Sequence, residues 1–144
     1  MSFRKLSDAA EDLKDFLQSV TAQDGSKLFL DIRTATITSH DQLLRLMPTI
    51  TRLPAAVVCI GSGEFDPSLT IRTMRPGIVI IDQLQIDHNR AASVWDILDS
   101  TVNAFIVNDE PRKINDVYYA PGNFVPVAAS SNKSAYMLEL NATN

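Results

Sequence analysis

Gly61-Ser62-Gly63, at the end of the apolar run AAVVCI, is the first place in this sequence where residue types and spacing could do chemistry. A glycine-rich turn that opens a helix holds phosphate with its backbone N–H groups, and the helix N-terminus adds its dipole. Here the two glycines lead into Glu64, Phe65, Asp66 and Pro67, with no third glycine. The two carboxylates repel phosphate, the following residues have the texture of a strand, and the Gly-Lys-Ser/Thr ending of a P-loop is absent. The stretch reads as a hairpin loop.

The remaining reactive side chains assemble no more readily. His40 and His88 each neighbour an aspartate, Asp41 and Asp87. Zinc ligands from one element come at short, definite separations that these residues lack, so exposed polar positions near helix starts is the plainer reading. Cys59, the single cysteine, lies inside the apolar run and reads as a buried structural thiol. Ser62 has no Gly-x-Ser-x-Gly elbow around it. Asp96 and Asp99 fall on the polar side of an amphipathic helix, and Trp95 reads as core or subunit-interface packing rather than a ligand platform. No general acid and base pair emerges. The expectation is a protein without catalytic activity, metal or cofactor.

What stands out instead is a contact surface. Glu64, Phe65 and Asp66 join charge to an aromatic in one connection, and Arg72 and Arg75 follow on the next strand. The arginines could pair within the fold or face a partner of opposite charge. Connections flanked by strands often carry binding while the scaffold carries stability. These five residues are the candidate partner or ring contacts.

The elements that must position them follow from hydrophobic period and punctuation. Asp8, with Glu11 three residues on, is placed to cap a helix over 8 to 20 whose face carries Leu13, Phe16, Leu17 and Val20. Leu28, Leu30 and Ile32 alternate with polar or outward positions and predict a strand over 27 to 33. Ser39 with Gln42 predicts a short helix that Pro48 ends. Strands are expected at 55 to 60 and 69 to 82, with GSGEFDPS as their loop and a bulge, edge or turn at Pro76-Gly77. Asn89 is placed to cap a helix from 90 to 106 with Val94, Trp95, Leu98, Val102, Phe105 and Ile106 as its stripe. The turn signals APGN and SSNKS then separate three short strands, DVYY, FVPVAA and AYMLELN. The sum is an α+β single domain over 1 to 144, with a mostly antiparallel sheet, a long hairpin and helices packed on one face.

Composition narrows the setting. The 144 residues are 45% hydrophobic and 21% charged, which suits a folded domain rather than a disordered chain. Neither a signal-peptide core nor an apolar run of membrane-spanning length occurs, so a cytoplasmic site of synthesis without membrane contact is expected. The sequons at Asn132 and Asn141 are discounted for the same reason. A net charge of −4 argues against specific or tight nucleic-acid binding.

The order of elements carries a resemblance. An N-terminal helix, a strand, RLPAAVVCIGSGEFD, an arginine-bearing strand into PGIVIID, the helix ASVWDILDSTVNAFI and strands closing on AYMLEL run across residues 8 to 141. This order resembles the tail terminator and tail completion proteins of long-tailed bacteriophages. The resemblance implies a virion structural protein that forms a ring, a hexamer, on the end of the finished tail tube. Such a ring stops tube polymerisation and presents the surface that joins the head. It implies further copies of the chain, the tail tube protein and the head–tail connector protein as partners. The implied location is the head-proximal end of the virion tail, after assembly in the host bacterial cytoplasm. An acidic balance suits a channel through which DNA slides without sticking. A head-side neck protein is the alternative of similar size; a small ligand-binding module and an unfamiliar enzyme are the alternatives from other classes.

Overall fold

The runs AAVVCI and GIVII are apolar at consecutive positions, a pattern that suits strands covered on both faces. The computed structural model, which describes residues 5–68, 71–83, 94–127 and 132–143, places them side by side in the middle of a seven-stranded sheet. Helices α1 (Leu6–Gln18), α2 (His40–Leu46) and α3 (Val94–Ala104) pack against strands β1 (Asp31–Thr34), β2 (Ala55–Phe65), β3 (Ile71–Gln83), β4 (Ile106–Val107), β5 (Glu110–Ile114), β6 (Val117–Pro126) and β7 (Lys133–Thr143). The spatial order is β1-β2-β3-β7-β6-β5-β4, curled as a half-barrel. β1 runs parallel to β2, and the other pairings are antiparallel. The α+β class, the predominance of antiparallel pairing and the long β2–β3 hairpin are therefore as the sequence predicts.

Alternation along the central strands sorts their side chains into two cores. On one face Ala56, Val58, Ile78, Ile80, Leu138 and Leu140 meet α1 and α3. α1 contributes Ala9, Leu13 and Leu17, four residues apart on one stripe. On the other face Ala55, Val57, Val79, Ile81 and Ala135 meet Leu43 of α2 together with Met47 and Ile50. The two long helices thus share a face, and α2 adds cover on the second. Each fully buried Leu or Ile is worth about 1.5–3 kcal/mol relative to exposure. Lys133 ties the second layer to the sheet, donating from Nζ to the carbonyls of Met47 and Ile50 at 2.8 and 2.7 Å.

Local signals explain the ends of the helices. Ser39 Oγ accepts from the Gln42 N–H at 3.3 Å, and Gln42 Oε1 accepts from the Thr38 N–H at 2.7 Å, the capping that the sequence predicts. α2 stops at Leu46, and Pro48 sits in a 3-10 turn, Met47–Thr49. Asp8 works differently from expectation. α1 begins at Leu6, and Asp8 lies in its first turn, accepting from the Lys5 N–H at 3.4 Å.

Three strand readings need correction, while the bulge expected at Pro76-Gly77 is present as a register shift. Leu28 and Phe29 are both buried and Leu30 is exposed, because a bridge between Thr21 and Lys27 turns the chain before β1 begins at Asp31. GSGEFDPS is not all loop: β2 runs through Gly61 and Gly63 to Phe65. Pro76-Gly77 lies inside a continuous β3; β2 shifts register between Ile60 and Gly63, and the ladder to β7 skips from Met74 to Gly77. The N–H that Pro76 lacks falls in that gap. APGN is likewise no turn, since β6 passes through it with a shift between Pro121 and Phe124.

β4 and β5 were not predicted. Both are made by Asn-Asp pairs with positive φ, Asn108 (52°) with Asp109 (63°) and Asn115 (47°) with Asp116 (68°). Two adjacent left-handed residues form the two-residue turn whose twist matches a hairpin. On α3 the buried positions are Ile97, Leu98 and Thr101, followed by Phe105, while Trp95 stays half exposed. The beginnings of the predicted 69 to 82 strand and 90 to 106 helix, with Asn89, lie outside the described residues.

Candidate functional site

β1 ends where Thr34 pairs with Val58. Beyond that point, among the described residues, no strand borders the outer edge of β2, while β3 stays paired with β7 as far as Thr73 opposite Thr143, with Met74 and Ile71 buried; the end of the β2–β3 hairpin, the arm, is thus an open-edged rim of the sheet. Burial stops at the same place: Ala55 to Cys59 are buried, Ile60 is intermediate, and Gly61 to Phe65 are exposed.

Glycine is what lets the arm close. A Cβ on Gly63 would lie 2.6 Å from the Thr73 carbonyl oxygen, and one on Gly61 would lie 2.8 Å from that of Arg75. Both approaches are to backbone, which cannot swing aside, so Gly61 and Gly63 serve strand contact. The question raised by Gly61-Ser62-Gly63 has its answer here: their backbone faces a neighbouring strand.

Phe65 pairs with Ile71 at the end of the arm and is 58% exposed, whereas Ile71 is buried. Glu64 is exposed opposite Thr73. Arg72 and Arg75 are exposed on β3, and among the described residues neither forms an ion pair. Asp66 is spent on the turn, its Oδ1 accepting from the Ser68 N–H at 2.9 Å and from the Ser68 hydroxyl at 2.6 Å. The arm therefore brings all five predicted residues together: Glu64, Phe65, Arg72 and Arg75 face outward, and Asp66 shapes the bend.

A second exposed aromatic surface lies at the other end of the sheet. Trp95 of α3 is 51% exposed and donates from Nε1 to the Tyr136 hydroxyl at 3.0 Å. Phe124 of β6 is 62% exposed. Together with Leu98 and Leu138 they line an open groove of about 480 Å³, with Asp99 at its rim. Phe124 pairs with Leu138, which pairs with Ile78, whereas Phe65 pairs with Ile71. Seven residues of β3 thus separate the two aromatics, about 23 Å at a strand's rise. Directly opposite residues share a face, and Ile71 and Leu138 both belong to the α1–α3 core. Both aromatics therefore lie on that side of the sheet. Sequence reasoning missed Phe124 because APGN read as a turn.

The other reactive side chains stay apart. Burial pushes the Cys59 thiol up, with its Sγ donating to the Gly77 carbonyl at 3.6 Å. Asp82 is also raised by burial, partly offset by the Gln83 backbone N–H. His40 and Asp41 occupy the exposed first turn of α2, and His88 and Asp87 lie outside the described residues. Among the described residues no three His, Cys, Asp or Glu side chains are grouped to hold a metal ion. Asp96 and Asp99 are exposed on α3. No described helix is long and apolar enough to cross a membrane.

By its fold this is an α+β protein whose described residues include an open-edged hairpin end and an aromatic groove. Comparison with family models and with curated proteins finds no match for the chain.

Proposed function

We propose that this protein is a ring-forming structural subunit of a bacteriophage tail, of the tail-terminator kind. The observation that carries the reading is the arm: the end of the β2–β3 hairpin, where β2 keeps an open outer edge and exposes Glu64 and Phe65, with Arg72 and Arg75 exposed on β3. Open edges and exposed aromatics are liabilities in a protein that works alone, and they become contact surfaces in one that assembles. A ring subunit acts through surfaces, with two unlike side faces joined head to tail and further faces for the tail tube and the head–tail connector.

The test is negative-stain electron microscopy of tail tubes polymerised with and without the purified protein. Rings on one end of the tubes, with shorter tubes as protein is added, are expected. Tubes that keep their length and bare ends at saturating protein would overturn the reading. Binding to the head–tail connector with no effect on tubes would move the protein to the head side of the junction.

A further inference from the structure

We propose that a second copy of this chain pairs with the open edge of β2, the two β2 strands running antiparallel from Ile60 to Phe65 about a two-fold axis. The edge itself sets the register. At one end the Ala35 N–H donates to the Val58 carbonyl at 3.0 Å and closes the edge; at the other, β2 ends at Phe65. Between these limits Ile60 to Phe65 has, among the described residues, no outer neighbour. Its sequence IGSGEF carries neither the lysine nor the proline that commonly blunts an edge. An antiparallel copy that uses all of it sets Ile60 opposite Phe65 and Gly61 opposite Glu64, with the axis between Ser62 and Gly63. The bulge between Ile60 and Gly63 then falls at the centre of the pair.

The second copy fits on both faces of the sheet, because directly opposite residues share a face. Phe65 lies on the α1–α3 side through its pairing with Ile71, and Ile60 packs against that same core. Phe65 of the second copy therefore arrives beside Ile60, at an open hollow of about 540 Å³ whose lining includes Leu6, Ala10, Ala35 and Ile60. An aromatic ring set against a β-branched side chain is a stabilising cross-strand pair. On the other face the match is one of charge. Glu64 lies opposite Thr73, and both Thr73 and Arg75 neighbour the core-facing Met74, so Glu64 and Arg75 point away from the α1–α3 core. Gly61 sits against Arg75, whose carbonyl oxygen is 2.8 Å from where a Cβ would be. Arg75, Gly61 and Glu64 of the second copy thus form one row across three strands, the outer two about 10 Å apart at Cα. Glycine puts no side chain between them, and a guanidinium and a carboxylate together span that gap. The two-fold axis makes each pair twice, and charge complementarity favours this register over slipped ones.

A two-fold contact is complete with two copies, so the pairing describes the free subunit and does not rest on the tail reading. One strand edge on each side buries less than a standard interface, and the dimer is accordingly concentration dependent.

The test combines sedimentation velocity of the full chain over a concentration series with amide hydrogen exchange. Wild type should reach dimers and stop there, and the amides of residues 60 to 65 should gain protection as dimers form. A chain that stays monomeric, larger species without a dimer plateau, or dimers that leave these amides unprotected would each overturn the pairing. Phe65→Ala should weaken association at least tenfold. Glu64→Arg and Arg75→Glu should each do the same, and an equal mixture of these two charge variants should dimerise to within a few-fold of wild type, since every cross-copy pair is then complementary. A mixture no tighter than its components, or a single variant that associates like wild type, overturns the contact. Circular dichroism confirms that each variant is folded. Failure of this contact and failure of the tail reading separate cleanly: dimers without action on tail tubes sink the tail reading alone, and capped tubes from a chain that never dimerises sink the pairing alone.

Discussion

β2 is built to opposite rules at its two ends, while β3 beside it keeps Ile71 and Met74 in the core. At the root, Ala55 to Cys59 of β2 lie against Gly77 to Ile81 of β3, every residue buried, with a helical layer on each face. At the tip, Gly61 to Phe65 are exposed, the outer edge is open and the pairing shifts register twice. Chain connectivity and hydrogen bonding run through both. What differs is side-chain volume: β-branched and other apolar residues in continuous run at the root, and glycine, serine and charge at the tip. The root stabilises the fold, and the arm draws on that stability to hold its exposed residues in place.

The comparison can be broken most severely at the root. Ile80→Ala, at a fully buried position under α1 and α3, should cost about 2–5 kcal/mol through lost transfer energy and a residual cavity. Urea unfolding reads this as a lower midpoint at constant slope. Lys133→Ala is expected next in size. It takes the ammonium donor from the Ile50 carbonyl and leaves the Met47 carbonyl with the Ile50 N–H alone, and two charge-assisted bonds of this kind place the loss at about 1.5–3 kcal/mol. A thermal melt should fall accordingly.

Asp82→Asn sharpens the comparison in the opposite direction. Burial raises the Asp82 carboxyl above its ordinary value of 3.8, so the folded protein holds this proton more tightly than the unfolded chain. Stability then falls as pH rises from that ordinary value through the raised one, and above it the burial penalty is complete. The variant should be more stable than wild type at neutral pH, with the difference vanishing below pH 3.8. Melting curves from pH 3 to 8 check the sign, and an advantage that grows toward acid would contradict it. The smallest effect on stability belongs to Phe65→Ala at the tip, within about 0.5 kcal/mol as for an ordinary surface change. A large loss there would erase the distinction between root and arm.

The root was legible in the sequence because apolar period and cap chemistry act locally. Ser39 with Gln42, Pro48 and the run from Ala55 all did what their residue types dictate. The arm was half legible: the exposed residues Glu64, Phe65, Arg72 and Arg75 were singled out, yet Gly61 to Phe65 were assigned to a loop. Glycines lower strand propensity, and only the partner strand, with backbone 2.6 Å from where a Cβ would be, reveals why they are there. The groove was hidden for a related reason. Pro121 and Gly122 punctuate β6 without ending it, and the register that sets Phe124 opposite Leu138 is a long-range property. β4 and β5 were legible in principle, because Asn-Asp occurs twice between short β-prone segments. Their brevity let the helix before them and the strand after them absorb the signal.

Cys59 sits on the border between the two regimes, the last buried residue of β2, its sulfur against Gly77 and close to the space of Met137. Because it is the chain's single cysteine and burial disfavours its thiolate, it is a built-in clock for the root. A thiol reagent reaches it faster when the packing over this end of β2 loosens, so the labelling rate reports openings where the buried run ends. A partner bound to the arm would be felt at the sulfur as slower labelling, with no label, tag or probe added to the exposed residues of the arm.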